Sequence, residues 1–331
     1  MKGLNAAVFS QRQRRLLRHA THFSPFGMEM RPVCRAVLVY HALAAKLWRY
    51  DTGTIQLPAR AVTGGESMNW LMSAEVYNTI LIGSFVYAAF ILVGAFLSKA
   101  PYGRFGAEGR GLSLSPRLGW FLMELPATLR FLWFYLHGKN AGELVPMIFL
   151  GVWLIHYANR GFLFPLFMRV AKGSKGTFGL MVVVAGWLVT ALHGYLNAVF
   201  ISHLSSHLTA DWLTDPRFLL GMSIYVFGFV MNVHSDAIIR NLRSKAEVES
   251  GERVYRIPEG GLFRYVTNPS YFTELLSFTG FAIATWSPGA LFVLFVSAAN
   301  LVPRAFQVHQ WYLKKFEDYP PERKVLIPWI L

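Results

Sequence analysis

The chain is short of cysteine and of charge. Cys34 is its one cysteine among 331 residues, and charged residues make up 15%. A single cysteine excludes a disulfide scaffold and any zinc or iron–sulfur site built on cysteines. Soluble domains carry roughly 25% charge and about 45–50% apolar residues. Here 54% of residues are hydrophobic and the mean hydropathy is +0.36. This balance excludes disorder, which needs low hydrophobicity, and argues against an ordinary soluble domain. Several chemical motifs are also missing: a G-x-G-x-x-G after a strand, a Walker A loop, H-E-x-x-H and G-x-S-x-G. A dinucleotide, if bound, is therefore not held by a Rossmann unit. His234 and His309 lack metal-ligand spacing with other donors, and no metal is expected.

What the chain has is basic surplus and long apolar runs. Its formal net charge is +14. In a membrane protein such a surplus marks loops beside anionic cytoplasmic lipid rather than a nucleic-acid surface. A basic pocket for an anionic cofactor is the second reading. Residues 1–67 hold half of it, with ten Lys or Arg (Arg12, Arg14, Arg15 and Arg18 among them) against three acids. Val33–Trp48 is too short to span a bilayer and is interrupted by His41 and Lys46. No small-residue cleavage site makes this head a signal peptide. It reads as an interfacial helix, or as a disordered or non-native extension ahead of a start at Met68 or Met72. The domains expected are this basic extension, 1–67, and a membrane domain, 68–331.

Seven apolar stretches follow: Tyr77–Leu97, Leu118–Leu136, Val145–Met168, Phe178–Leu204, Phe218–Ile239, Phe272–Trp286 and Gly289–Phe306. A span needs about 20 mostly apolar residues, and in hydrocarbon each backbone group must be paired within its own segment, so these predict helices. The last two are short, are joined through Ser287-Pro288-Gly289 and predict a hairpin. Basic residues alternate between loops: Lys99, Arg104, Arg110 and Arg117 after the first stretch, Arg169, Lys172 and Lys175 after the third, Arg240 to Arg264 after the fifth, and Lys314 to Lys324 in the tail. The alternation places the C-terminus in the cytosol. The fold class expected is all-α: a polytopic membrane protein with seven transmembrane helices and cytosolic loops forming a dinucleotide cavity.

Ionisable residues inside a membrane are costly and are functional candidates by default. Glu124 lies within the second stretch, with an ion pair to Arg130 or another buried base as the structural alternative. Pro126 beside it can kink the helix. His156, Tyr157 and Arg160 fall in the third stretch. His193, Tyr195 and Asn197 fall in the fourth and read as helix-packing hydrogen bonders. Asn232, Asp236, Arg240 and Arg243 recur at i, i+4, i+8 and i+11, which puts them on one helix face. Tyr255-Arg256 opens a turn-rich loop, and arginine forks suit phosphates. Asn268-Pro269-Ser270 starts the sixth helix, with Glu274 just inside it. Arg304 and Tyr312 follow the seventh stretch.

These blocks resemble the steroid 5α-reductase family (3-oxo-5α-steroid 4-dehydrogenases), in a bacterial-type member. The resemblance covers about Tyr102–Leu331. It rests on Tyr102-Gly103-Arg104, Trp120–Pro126, His156-Tyr157, Asn232–Asp236, Tyr255–Phe263 and the tail from Trp311 through Pro328. The C-terminal blocks are shared with enoyl-CoA reductases, polyprenol reductase and isoprenylcysteine methyltransferases, while Glu124-Leu125-Pro126 and His156-Tyr157 point to the steroid branch. The resemblance implies NADPH-dependent reduction of a 4-ene-3-one steroid by a monomer in a bacterial inner membrane or endoplasmic reticulum. It implies that Glu124 and Tyr157 hydrogen-bond the 3-keto oxygen. Trp120, Asn232, Asp236, Arg240, Arg243, Tyr255, Arg256, Ser270, Arg304 and Tyr312 would hold the cofactor. Hydride addition to an enone pushes charge onto that oxygen, where donors stabilise it. A carboxyl donates only when protonated, a form favoured by apolar burial. A tyrosine paired with a neutral carboxylic acid is the arrangement known from ketosteroid isomerase. Met123, Ser270, Thr273 and Val308 depart from the family's usual residues. The alternatives are a sibling enoyl or polyprenal reductase, an adenosylmethionine-dependent methyltransferase on the same scaffold, and a non-catalytic transporter or lipid-binding protein.

Overall fold

Cap-proline pairs start four of the long helices. Ser115-Pro116, Asp215-Pro216, Asn268-Pro269 and Ser287-Pro288 each place proline at the first helical position, where its missing N–H costs nothing. Ser115 Oγ accepts from Leu118 N at 3.3 Å and Asp215 Oδ1 from Arg217 N at 2.8 Å, filling otherwise unpaired donors. In the computed structural model, residues 64–97, 105, 112–171, 178–251 and 254–331 are described. The expected extension therefore falls, but for its last four residues, outside the described residues, as does Tyr102-Gly103-Arg104.

The helices are α1 (Gly64–Leu71), α2 (Ala74–Leu97), α3 (Pro116–Leu136), α4 (Leu144–Tyr157), α5 (Phe164–Phe167), α6 (Leu180–Val199), α7 (Pro216–Asn241), α8 (Lys245–Ser250), α9 (Pro269–Thr285) and α10 (Pro288–Lys315). Two π-helical turns extend α4 and α6, at Ala158–Leu163 and Phe200–Leu204. The first sits just before Pro165, which has no N–H to donate back to Gly161. A two-stranded antiparallel ribbon, β1 (Ser113–Leu114) with β2 (Phe178–Gly179), ties the approach to α3 to that of α6.

All seven apolar stretches lie on helix but for a few end residues: Phe178 and Gly179 form β2, and Met168 and Trp286 follow helix ends. Among the described residues, five helical segments are long and apolar enough to cross a membrane: Ala74–Leu97, Leu144–Phe167, Leu180–Leu204, Pro216–Asn241 and Pro288–Lys315. The protein is thus a mostly helical, multi-pass membrane protein. Two of the seven do not meet that measure. Pro269–Thr285 has 17 residues, and α3 carries Arg117, Glu124 and Arg130 among its apolar residues. The last helix is longer than the sequence implies: it runs 28 residues to Lys315, through the polar segment after Phe306. The α2 helix exposes Ile82, Val86, Phe90 and Val93, an apolar outer face that suits lipid and not water.

Close backbone approach sets the main helix pairs. A Cβ on Gly280 would sit 2.3 Å from Tyr225 N, and one on Gly221 2.3 Å from Ala284 N. Small residues let α7 and α9 pack backbone to backbone, which is how membrane helices gain van der Waals contact without a hydrophobic drive. Likewise Gly194 of α6 lies against Ala127 and Phe131 of α3. Between these pairs the core is aromatic. Trp153 stacks on Phe131 at 4.4 Å, and Phe149 meets Phe281 edge-on at 5.9 Å.

Gly280→Val is expected to lower the thermal midpoint in detergent, by about 1–3 kcal/mol of overpacking. Gly83→Ala is the control, since a Cβ there meets nothing within 4 Å; its midpoint should hold or rise. Equal midpoints for both would remove the close-packed α7–α9 contact.

Candidate active site

The charged residues of the helical core converge on Arg160. It projects from the π-turn that follows Tyr157, and its Nε lies 3.5 Å from Glu274 Oε1 on α9. Its Nη1 lies 3.9 Å from Asp236 Oδ2 on α7. His156 Nε2 is 3.7 Å from the same Glu274 oxygen. The guanidinium carbon sits 4.7 Å over the Trp120 ring and 5.2 Å over Phe164, and Trp120 Nε1 donates to the Arg160 carbonyl at 3.1 Å. Arginine is suited to this place, being planar, always charged and weakly hydrated. Asn232 Nδ2 donates to the Ser270 carbonyl at 2.8 Å, locking α7 to the first turn of α9.

Tyr157 lies one turn before Arg160, 2% exposed. Its hydroxyl is 3.0 Å from His193 Nδ1 on α6. Glu124 lies across from it on α3, where its Cβ is 3.3 Å from the position a Gly161 Cβ would take. Glu124 and Tyr157 fall within each other's electrostatic field, as do Glu124 and Arg160. The expected alternative pairing with Arg130 is not formed: Arg130 is exposed on the far side of α3. Beside Tyr157 is a small aromatic hollow lined by Val152, Trp153, His156, Tyr225, Phe278 and Phe281.

The residues expected to hold a cofactor divide into groups. Trp120, Asn232, Asp236 and Ser270 join the Arg160 cluster. A second group clamps the loop after α7. Arg243 Nε donates to the Val254 carbonyl at 3.0 Å with its guanidinium 5.6 Å from the Tyr255 ring, and Arg256 Nη1 donates to the Leu242 carbonyl at 2.6 Å. The helix ends at Asn241, so Arg243 lies beyond the face it was expected to share with Asn232 and Asp236. Arg256 also pairs with Glu247 and holds that carboxyl down to about 2. Glu247 thus stays ionised at every higher pH, and the clamp is lost only as pH falls towards that value. A third group lies on α10. Arg304 Nε donates to Tyr271 Oη at 3.1 Å, and Tyr312 stacks on Tyr319 at 5.3 Å. Tyr255 meets Trp311 at 5.0 Å and Trp311 meets Tyr312 at 5.1 Å, which joins the second and third groups. Arg240 lies 5.7 Å over Phe167. A cleft of about 700 Å³ is lined by His234, Ala237, Asn241, Arg256, Ile257 and Glu259, so of the expected set it takes Arg256 alone.

Three residues of this site were visible in the sequence without being assigned to it. Glu274 was noted only as a second acid, Arg160 as a polar residue beside Tyr157, and His193 as a packing residue. The available signal was charge balance: two carboxylates in apolar helices need a cation, and Arg160 is the buried one between them. The departures from the family pattern have separate places. Met123 packs against Gly186 of α6, away from the Arg160 cluster. Thr273 Oγ1 lies 3.4 Å from Asn232 Nδ2, and Val308 is buried beside Tyr312 and Tyr319.

Fold and site together define a multi-pass membrane protein with a charged, largely aromatic-walled chemical centre. A family model described as 3-oxo-5-alpha-steroid 4-dehydrogenase matches residues 176–331. The chain is 42% identical over 264 residues to 3-oxo-5-alpha-steroid 4-dehydrogenase 1 of Mus musculus, covering 79% of this chain and 97% of that protein. It is 34% identical over 278 residues to the Homo sapiens protein of the same name, covering 82% and 99%. It is 34% identical over 260 residues to steroid 5-alpha-reductase DET2 of Solanum lycopersicum, covering 77% and 97%. The chain belongs to the 3-oxo-5α-steroid 4-dehydrogenase family and is an oxidoreductase. These relatives are animal and plant proteins and give no support to a bacterial type.

Arg160→Met should destabilise the folded protein by about 3–5 kcal/mol, since it leaves buried carboxylates uncompensated. Adding Glu274→Gln should recover part of the loss. Thermal unfolding in detergent tests this, and a single variant as stable as the parent would mean that the cluster is hydrated rather than paired.

Proposed function

We propose that the chain reduces the C4–C5 double bond of 3-oxo-4-ene steroids to their 5α-products with NADPH. The names of its relatives supply the substrate class. The observation that carries the reading is that Glu124 of α3 lies against the π-turn that follows the buried Tyr157, its Cβ 3.3 Å from where a Gly161 Cβ would stand and its charge within reach of the tyrosine. In this reading the 3-keto oxygen lies between the Glu124 carboxyl and the Tyr157 hydroxyl. Both donate to it, and the bonds strengthen as negative charge develops there. The aromatic side chains beside Tyr157 offer apolar contact for a steroid ring face, and the hollow between them, about 10 Å³, would have to widen to admit one.

NADPH, when bound, supplies the hydride to the β-carbon. The residues present fit such a group. Asp236 and Ser270 lie within hydrogen-bonding reach of each other, and beyond that and the 3.9 Å ion pair to Arg160 their buried Oδ2 and Oγ meet no partner among the described residues. Unsatisfied buried polar atoms are costly, and a carboxamide offers both a donor and an acceptor to them. We assign Trp120, Asn232, Asp236 and Ser270 to the nicotinamide end. Arg240, Arg243, Tyr255, Arg256, Arg304 and Tyr312 are assigned to the phosphates and the adenosine, since arginine forks match phosphate geometry. A 2′-phosphate among arginines favours NADPH over NADH. This reading carries with it seven transmembrane helices, loops that close a dinucleotide cavity on the cytosolic side, a cytosolic C-terminus, and a monomer. Residues 1–67 lie outside the catalytic domain, so their deletion should leave activity intact.

Membranes containing the protein, given NADPH and testosterone or progesterone, should yield a product heavier by two hydrogen atoms that co-elutes with the 5α standard. Glu124→Gln and Tyr157→Phe should abolish that product while NADPH binding stays nearly unchanged. No product from the parent chain, with NADPH still bound, would move the search to other enones. Arg243→Ala should raise the NADPH concentration needed for half-maximal rate, and an unchanged titration would take Arg243 out of the cofactor site.

A further inference from the structure

The Tyr157 hydroxyl has one proton, and its direction decides what the residue can do. Its neighbour is His193 Nδ1, at 3.0 Å. If His193 carries its proton on Nε2, Nδ1 accepts, the tyrosine donates to it, and no proton remains for a substrate oxygen. If the proton is on Nδ1, His193 donates, the tyrosine oxygen accepts, and the O–H is left to point elsewhere. The two tautomers thus give opposite chemistry at one geometry.

The other ring nitrogen discriminates between them. His193 Nε2 is buried and has no hydrogen-bond partner among the described residues. The Phe292 ring lies edge-on at 5.8 Å from the imidazole. Without substrate each tautomer leaves one buried donor unpaired, the Nε2–H or the tyrosine O–H, and orphaned buried N–H groups are rare. Once a substrate oxygen accepts the tyrosine O–H, only the Nδ1–H tautomer leaves no donor unpaired, so with substrate bound the proton belongs on Nδ1. Tyr157 is also held in place, with the Trp153 ring packed on it at 4.8 Å.

We infer that His193 is a positioning residue for the reduction: as the Nδ1–H tautomer it donates to Tyr157 Oη and so directs the tyrosine proton toward the substrate oxygen. The inference rests on the reductase reading for its catalytic consequence. Accepting a hydrogen bond also polarises the tyrosine O–H and strengthens the bond it donates. Asparagine carries its amide nitrogen the same number of bonds from Cα as His193 Nδ1 and can replace the donor. Phenylalanine cannot.

The test uses the full chain in nanodiscs. For His193→Phe, kcat should fall by up to about 100-fold, as for a misdirected reacting group, with the steroid KM and the thermal midpoint little changed. His193→Asn should restore most of the rate. A kcat for His193→Phe within twofold of the parent would overturn the inference, and so would an asparagine variant no better than phenylalanine. A second measurement does not depend on turnover. In ¹⁵N-histidine-labelled protein saturated with a 4-ene-3-one steroid, the ring whose signals move in Tyr157→Phe should show a protonated Nδ1 and a bare Nε2. The reverse pattern overturns the inference. A parent chain that reduces no 4-ene-3-one would count against the reductase reading alone, because the tautomer is read independently.

Discussion

A charged guanidinium inside a helical membrane protein constrains everything packed around it. Arg160 cannot lose its proton and is largely shielded from solvent, so the fold has to bring anions to it. Glu274 and Asp236 come from two helices, α9 and α7, that are distant in sequence from the π-turn holding Arg160. Their approach depends on Gly221 and Gly280, which remove side chains from the α7–α9 contact. The same approach lets Asn232 reach the Ser270 carbonyl. The electrostatic demand and the small-residue contact therefore act together. A bulkier α7–α9 seam would move the carboxylates away from the arginine as well as strain the backbone.

The π-turn is part of the same constraint. It begins directly after Tyr157 and ends at Leu163, so Tyr157 belongs to regular helix and Arg160 to the widened turn. Backbone irregularity at membrane depth is tolerated where protein surrounds it, and such turns are frequent at functional sites. Its effect here is to let neighbouring residues serve different partners. Tyr157 faces His193 on α6, and Arg160 faces α7 and α9. A continuous α-helix read from the sequence fixes one direction for each residue and hides this divergence.

That divergence also marks the limit of what the sequence made legible. All seven apolar stretches were readable because lipid requires length and apolarity, which are local properties. The starts of α3, α7 and α10 could be placed from Ser115-Pro116, Asp215-Pro216 and Ser287-Pro288, again local chemistry. The C-terminal reach of α10 was not, because its last turns are polar and are held by the aromatic contacts of Trp311 and Tyr312 instead of by hydrocarbon. Glu124 and Tyr157 stood out as polar groups in apolar runs. Their companions Arg160, His193 and Glu274 were visible too, but not as partners, because which polar residue pairs with which is set by helix packing. Arg243 followed the face of α7 only on paper, since the helix ends before it and the guanidinium turns to the Val254 carbonyl.

The split among the expected cofactor residues follows from the same physics. Arg243 and Arg256 lie in the loop beyond α7 and satisfy loop carbonyls and Glu247. Arg304, on α10, has Tyr271 Oη and the Phe105 ring as partners. Each cation has a protein partner that a phosphate would have to replace or share. The exchange is not costly for Arg256. Its pair with Glu247 is substantially exposed, and exposed ion pairs contribute little net stability. Asp236 and Arg160 stand differently. Their pairing is buried, and breaking it would leave an unpaired charge among aromatic rings. The exposed ion pair is therefore in the loop after α7 and the shielded one between the helices. Under the proposed function the loop cations would re-pair with an incoming phosphate while the centre beside Tyr157 kept one geometry. Pre-organised donors at a reacting oxygen require that rigidity, because they stabilise developing charge without reorganising when it forms.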